Sequence, residues 1–322
     1  MIKKSSKKAF EMSFAWMFSI IVGAIILFLA IYMTMQFIAP QRHISQSELA
    51  KSLGALLDPL ETGKGVAVES AVIEIAGEAR IYNKCYRSDE NDNFGRQGIS
   101  IATKSGIGKQ WQEPGEETSL QNKYIFSNST TLGKNFYIMA KQFEMPFKVA
   151  DLIFLYDKKY CFVNPPRWIE DDVENAKNIN ISDATSGCDE GSITICFRDY
   201  GCDVDVADYT NDNSFSYGGV EKDSGTMVYS GSLIYAAIFS DSEMYECNLA
   251  RLMARLEKLA QLYLEKSRMI EPECSSGLNT ELADLANKAM ALKQEDNPSQ
   301  HLTEIISIAD EIKDKDSICR IF

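Results

Sequence analysis

Eight cysteines are the residues whose number and spacing most directly indicate chemistry in this sequence. Structural zinc sites usually pair cysteines as C-x-x-C, and no two cysteines here have that spacing. An even number without such pairs favours up to four disulfides, which form in an oxidising compartment. The cysteines are Cys85, Cys161, Cys188, Cys196, Cys202, Cys247, Cys274 and Cys319.

Two acidic segments have the oxygen-rich composition that calcium prefers. The first is Asp89–Gly95, and the second contains Asp203, Asp205 and Asp208. The first segment lacks both the glycine at its sixth position and the acid at its twelfth that an EF-hand loop requires. We therefore expect solvated loops and no cofactor, with calcium binding as the alternative.

Two tryptophans lie beside acidic residues, in the segments Trp111–Glu117 and Trp168–Asp172. Glycosidases use a pair of carboxyl groups to cleave the glycosidic bond. An aromatic side chain beside such groups can stack against the sugar ring. Serine and cysteine nucleophiles usually need a histidine base, but the 2 histidines, His43 and His301, belong to no recognisable triad. We assign no catalytic residue, and an envelope carbohydrate-active hydrolase that uses surface carboxylates is one alternative function.

The elements that must position these residues begin with an apolar segment. Every residue from Phe14 to Met35 is apolar or small, which is long enough for a helix to cross a bilayer. Lysines are concentrated before this segment, so the positive-inside rule places the N-terminus in the cytoplasm and the remainder outside. We predict a cytoplasmic tail at 1–11 and a transmembrane helix at 12–39 that contacts the lipid bilayer.

Lys8, Ala9 and Phe10 immediately precede the apolar helix. This arrangement resembles the class III signal of type IV pilin-like proteins, and the anchor also resembles those of uncharacterised archaeal single-pass membrane proteins. The resemblance implies processing between Ala9 and Phe10 and a helix that packs as a filament stem. The family carries glutamate at the fifth mature position, which corresponds to Phe14 here. Phe14 departs from that pattern. On the residues around Ala9 and Phe10, a pilin-like assembly subunit processed after Ala9 is a second alternative function.

An extracytoplasmic location would make two asparagines candidates for N-glycosylation. Asn128 and Asn180 each begin an Asn-x-Ser/Thr triplet, which predicts N-glycosylation where the host performs it. The formal net charge of −13 argues against nucleic acid as a partner, since nucleic-acid binding needs clustered lysine and arginine.

Changes in residue periodicity divide the outer part of the chain. We predict a juxtamembrane helix within a linker at 40–62, a β-rich domain at 63–239 and three helices at 240–322. Leucines recur at steps of three and four in the last region, and short links predict an antiparallel bundle. In that bundle Cys274 and Cys319 would lie close together, so we predict a disulfide between them. We also predict one between Cys196 and Cys202 across a tight turn.

The sequence as a whole predicts an α+β protein with an N-terminal transmembrane helix, a disulfide-stapled β-rich domain and a C-terminal three-helix bundle. Because no catalytic motif accompanies these elements, we expect a non-enzymatic structural or interaction protein of the cell envelope. A protein partner would contact the C-terminal bundle.

Overall fold

The computed structural model describes most of the chain. The described residues are 16–33, 50–51, 70–89, 92–104, 110–197, 201–208, 216–223, 225–272, 274 and 277–322, without the side chains of 317–319. They form an apolar N-terminal helix, two six-stranded sheets and several C-terminal helices. The α+β class and the disulfides predicted from the sequence are therefore present.

Helix α1, Trp16–Met33, is apolar along its whole length, and none of it is buried against the rest of the protein. Within the described part of the chain it is the one helix long and apolar enough to cross a membrane. The flanks of the predicted segment 12–39 lie outside the described residues. So does most of the predicted juxtamembrane helix, of which Ala50 and Lys51 are described and helical.

The first sheet has the strand order β3-β2-β1-β5-β6-β4 and is antiparallel except for the β4–β6 pair. Strand β1 is long because apolar and polar residues alternate through much of it, which suits a strand with one buried face. The strands are β1 (Ala71–Tyr86), β2 (Arg96–Thr103), β3 (Thr118–Gln121), β4 (Tyr124–Phe126), β5 (Thr130–Glu144) and β6 (Lys148–Tyr156).

The second sheet has the order β12-β11-β10-β9-β7-β8. Strands β8, β7, β9 and β10 are neighbours in that order and run parallel to one another. Strand β11 pairs antiparallel with β10, and β12 pairs antiparallel with β11. The strands are β7 (Tyr160–Val163), β8 (Ile179–Ser182), β9 (Ile193–Phe197), β10 (Val204–Asp208), β11 (Tyr217–Lys222) and β12 (Gly225–Ser230).

Within the described residues, five further α-helices, α2 to α6, follow strand β7 in the sequence. Helices α3 and α4 pack on one face of the first sheet, α5 contacts both α4 and α6, and α6 also reaches β12. The largest hydrophobic cluster therefore combines side chains from both sheets and from α2 to α6. The helices are α2 (Arg167–Val173), α3 (Leu233–Phe239), α4 (Ser242–Ile270), α5 (Asn279–Leu292) and α6 (Leu302–Cys319).

Two local sequence patterns predict strand arrangements that the structure does not have. The turn-like segment Asp157-Lys158-Lys159 predicts a hairpin between Leu152–Tyr156 and Tyr160–Val163, but these strands lie in different sheets. The apolar run Val228–Tyr235 predicts one strand, but the strand ends at Ser230 and the apolar residues that follow form α3. Every residue of α3 is buried, so it has no polar face from which a helical period could be recognised.

Two helix-cap motifs in the sequence also predict the wrong residue. Ser240, three residues before Glu243, predicts a cap of α4, but the cap is Asp241, while the Ser240 hydroxyl donates to the Ala236 carbonyl. Asn164, followed by proline, predicts a cap of α2, but the residue before that helix is Pro166, with no side-chain cap. In both cases the local motif was shifted by one or two residues from the observed helix start.

Candidate functional site at the junction of β1 and α4

A disulfide between Cys85 and Cys247 joins the end of β1 to the first turns of α4. The two residues are 162 positions apart, and their Cα atoms are 6.1 Å apart. No sequence pattern favours this pair, because pairing between distant cysteines leaves no local signal. The bond links the first sheet to the C-terminal helices at one point.

A cavity of about 910 Å³ lies beside this disulfide. Both cysteines line it, together with Met244, so part of its wall is sulfur-rich and apolar. Charged side chains of both signs complete the lining, and they include Lys84, Arg87, Asp241, Glu243, Glu246 and Asp296. We take this cavity and its surroundings as the candidate site.

Asp241 fixes one wall of the cavity. Its Oδ1 atom accepts the Met244 backbone N–H at 2.9 Å, which caps α4. Its Oδ2 atom accepts both the backbone N–H and the hydroxyl of Ser129, at 2.6 and 2.7 Å. One carboxylate thus attaches the start of α4 to the turn before β5.

Arg87 and Glu246 also line the cavity. The Arg87 guanidinium donates to the carbonyls of Glu295 and Asp296, at 2.5 and 2.8 Å. Glu246 accepts the Ser299 backbone N–H at 3.0 Å and its hydroxyl at 2.5 Å. Burial raises the pKa of the Glu246 carboxyl, and the hydrogen bonds from Ser299 and the charge of Arg87 only partly oppose that rise. These contacts hold the segment between α5 and α6 against β1 and α4.

A buried polar network around Arg251 stabilises the same junction. Arg251 is completely buried and donates to the Lys123 carbonyl and Asn248 Oδ1, both at 2.8 Å, and to Gln97 Oε1 at 3.2 Å. Gln97 in turn donates to Asn83 Oδ1 and to the Ile125 carbonyl, both at 2.7 Å. Burial lowers the pKa of Arg251 to about 10, which still leaves the guanidinium charged at neutral pH. The network connects β1, β2, β4 and α4.

The cysteines singled out in the sequence are part of this disulfide framework. Cys196 and Cys202 form a disulfide, and Cys161 bonds with Cys188. Cys274 is disulfide-bonded as well. The side chain of Cys319 lies outside the described part of the chain, so the pairing of these two stays a prediction.

One of the predicted modification sites adjoins this cavity. Asn128 is half-buried, just before the β5 strand, and its neighbour Ser129 lines the cavity. The Asn180 amide, which would carry a glycan, donates to Asp189 Oδ2 at 2.7 Å. Ala9 and Phe10, the predicted processing site, lie outside the described residues. Glycosylation and processing therefore stay predictions.

Carboxylates of both candidate calcium segments accept hydrogen bonds from backbone N–H groups of the protein. Asp89 Oδ1 accepts the Asp92 N–H at 2.8 Å, and Asp203 Oδ2 accepts the Thr194 N–H at 2.8 Å. Asp205 accepts backbone N–H groups from the turn that carries Cys202. Ligand atoms of Cys196, Cys202 and Asp205 lie within 4.8 Å of one another, but both sulfurs are in a disulfide and are not thiolates.

The tryptophan segments have different surroundings from each other. The Arg80 guanidinium lies 4.4 Å from the centre of the Trp111 ring, so a cation–π contact occupies that side chain. Trp168 is 37% exposed and remains accessible. Near it, Asp172 accepts the Tyr235 hydroxyl at 2.8 Å and forms an ion pair with Lys141.

Comparisons with protein-family models, with curated proteins and with solved structures find no significant match to this chain.

Proposed function

We propose that this chain is a non-enzymatic, membrane-anchored interaction protein of the cell envelope. In this proposal α1 lies in the bilayer, the N-terminus faces the cytoplasm and the disulfide-linked sheets and helices lie outside. The observation that carries it is the combination of an exposed apolar helix with oxidised cysteines in the same chain. Disulfides persist in oxidising compartments, and the helix supplies the attachment.

The C-terminal helices are the proposed contact surface for a protein partner. We propose that α4, α5 and α6 act as an antiparallel bundle outside the membrane. Leu262 and Met269 are seven residues apart on α4, which places them on one face, and they are 58% and 78% exposed. The exposed charged residues Glu265 and Lys266 lie between them on the same face, so a partner would contact both apolar and charged side chains there. The two exposed apolar side chains support partner contact.

The location is tested by thiol labelling of the full-length chain in intact cells, with a membrane-impermeant alkylating reagent. We expect label only after an impermeant reductant is added, because the external cysteines are oxidised. A matched control, Ser5→Cys, introduces a thiol in the predicted cytoplasmic tail and should be labelled only after permeabilisation. Labelling without reduction, or labelling of the native cysteines only in permeabilised cells, would contradict the proposal.

The non-enzymatic part is tested separately, by incubating the purified full-length chain with envelope polysaccharides. We expect no turnover. Turnover that is lost in Asp172→Asn or Glu113→Gln would contradict it and would assign a hydrolase instead.

A further inference from the structure

A second cavity, of about 520 Å³, shares Arg87 with the first. Three cationic side chains line it, although the whole protein carries a formal net charge of −13. The other lining residues are also polar, and only one of them is acidic. The full lining is Arg87, Ser88, Asp89, Asn93, Lys258, Lys293 and Gln294. A concave surface with this composition suits a polar anion.

A buried carboxylate positions two of these cations. Glu257 is 3% exposed, and its oxygens accept from Lys258 Nζ at 2.9 Å and from Lys293 Nζ at 2.5 Å. Burial alone would raise the pKa of Glu257, but hydrogen bonds and charges from the two lysines outweigh it and lower that pKa. The carboxylate is therefore ionised at neutral pH and holds both ammonium groups at the cavity wall.

The lysines retain donors that Glu257 does not use. An ammonium group has three N–H donors. Lys258 uses one for Glu257 and one for Gln261 Oε1, at 3.4 Å, while Lys293 uses one for Glu257. Among the described residues no further acceptor takes the remaining donors, so they can bind a ligand in the cavity.

The charges around the cavity indicate how much negative charge a ligand should carry. Asp89 is the one acidic residue among the described lining residues, Glu257 pairs with the two lysines, and the charge of Arg87 also acts on Glu246. These acids offset most of the positive charge of Arg87, Lys258 and Lys293, so a single carboxylate suits the cavity better than a phosphate dianion. Because no described lining side chain is apolar or aromatic, the body of the ligand must be hydrophilic. Hydroxyl groups match the amides of Asn93 and Gln294 and the hydroxyl of Ser88.

We propose that this cavity binds a small polyhydroxy carboxylic acid, such as a uronic acid, with its carboxylate between Lys258, Lys293 and Arg87. This inference goes beyond the proposed function and does not depend on where the protein resides. A failure of ligand binding and a failure of the membrane location are therefore separate results.

The test is calorimetric titration of the purified full-length chain in detergent with glucuronate, glucose or inorganic phosphate. We expect glucuronate to bind at least about tenfold more tightly than glucose, and its affinity to fall as sodium chloride is added. Equal affinity for glucose, tighter binding of phosphate than of glucuronate, or no glucuronate binding at millimolar concentration would overturn the proposal.

Variants assign the binding to this cavity. Lys258→Gln removes one cation while Lys293 still pairs with Glu257, and we expect glucuronate affinity to fall about tenfold. Lys258→Arg should keep most of the affinity, because it keeps the charge. The control Lys288→Gln removes a surface lysine that pairs with Glu304 and does not line the cavity, so its affinity should match the wild type. Equal losses in Lys258→Gln and Lys288→Gln, or none in either, would overturn the assignment.

Discussion

Buried charged residues on α4 are stabilised in two different ways. Arg251 is surrounded by backbone carbonyls and amide side chains, which accept its N–H groups without adding a formal negative charge. Glu257, six residues later, instead has two lysine partners. A buried charge needs such partners because transfer from water costs several kcal/mol when it is unpaired. Both residues are therefore expected to be sensitive to substitution.

Replacement of Glu257 tests the second arrangement. We expect Glu257→Gln to lower the free energy of unfolding at pH 7 by about 1–3 kcal/mol, because Lys293 and Lys258 lose their counter-charge. The folded-state pKa of Glu257 is lowered from 4.5, so its contribution is present above pH 4.5 and is lost as pH falls through the folded value. The difference between wild type and variant should therefore shrink as the pH is lowered below 4.5, as measured by urea unfolding.

The control for this measurement is Glu304→Gln, which removes the carboxylate of an exposed ion pair with Lys288. We expect no resolvable change in the free energy of unfolding at pH 7, because a solvent-exposed ion pair contributes little to stability. A pH-independent effect of Glu257→Gln would mean that its lysine partners do not lower the carboxyl pKa.

At the scale of elements, α4 joins the two sheets. Its residues Met244–Ala254 are all buried. The Tyr245 hydroxyl donates to the Val228 carbonyl on β12 at 2.6 Å, and the Asn248 amide donates to the Ile125 carbonyl on β4 at 3.1 Å. The first half of this helix is thus a shared core element, and its start must be held in place.

We expect Asp241 to hold the start of α4 in place. Asp241→Ala removes the cap of α4 and the two acceptor contacts to Ser129, so the free energy of unfolding should fall by about 2 kcal/mol. Glu243→Ala, in the same first turn, is the matched control and should change it by less than about 0.5 kcal/mol. Urea unfolding of both variants checks this, and equal losses would show that the Asp241 contacts are not specific.

At the scale of the whole molecule, disulfides restrain segments that are far apart in sequence. Closing a longer loop removes more entropy from the unfolded chain, so bonds of different separation should differ in effect. The bond between Cys85 and Cys247 spans 162 residues, and the bond between Cys196 and Cys202 spans 6. The first should therefore contribute more to global stability.

Paired replacement of each disulfide by alanines measures this difference. Loop-closure entropy predicts a loss of about 5 kcal/mol for the Cys85→Ala, Cys247→Ala double variant and about 2 kcal/mol for Cys196→Ala, Cys202→Ala. The urea midpoint should fall further in the first variant, with the second as its control. The opposite order would mean that native-state contacts, rather than chain entropy, determine the contribution of each bond.

Local patterns in the sequence predicted several elements, because their causes lie within a few neighbouring residues. The apolar segment from Phe14 to Met35 contains α1, and the three- and four-residue spacing of leucines in the tail matches α4, α5 and α6. Strands β2, β4, β5, β6, β7 and β9 overlap segments rich in apolar and β-branched residues. No comparable pattern predicts strands β3, β8, β10 and β11, because they are short and contain polar residues or glycine.

Sequence alone determined that this chain has a membrane-length apolar helix, an acidic composition, and cysteines of a number and spacing suited to disulfides. Only the tertiary structure decided that Cys85 pairs with Cys247, that Arg251 reaches the Lys123 carbonyl 128 residues away, and that Glu257 places two lysines at one cavity. Helix periods and turn residues act over a few positions, whereas strand order and buried contacts depend on which distant segments exclude water together.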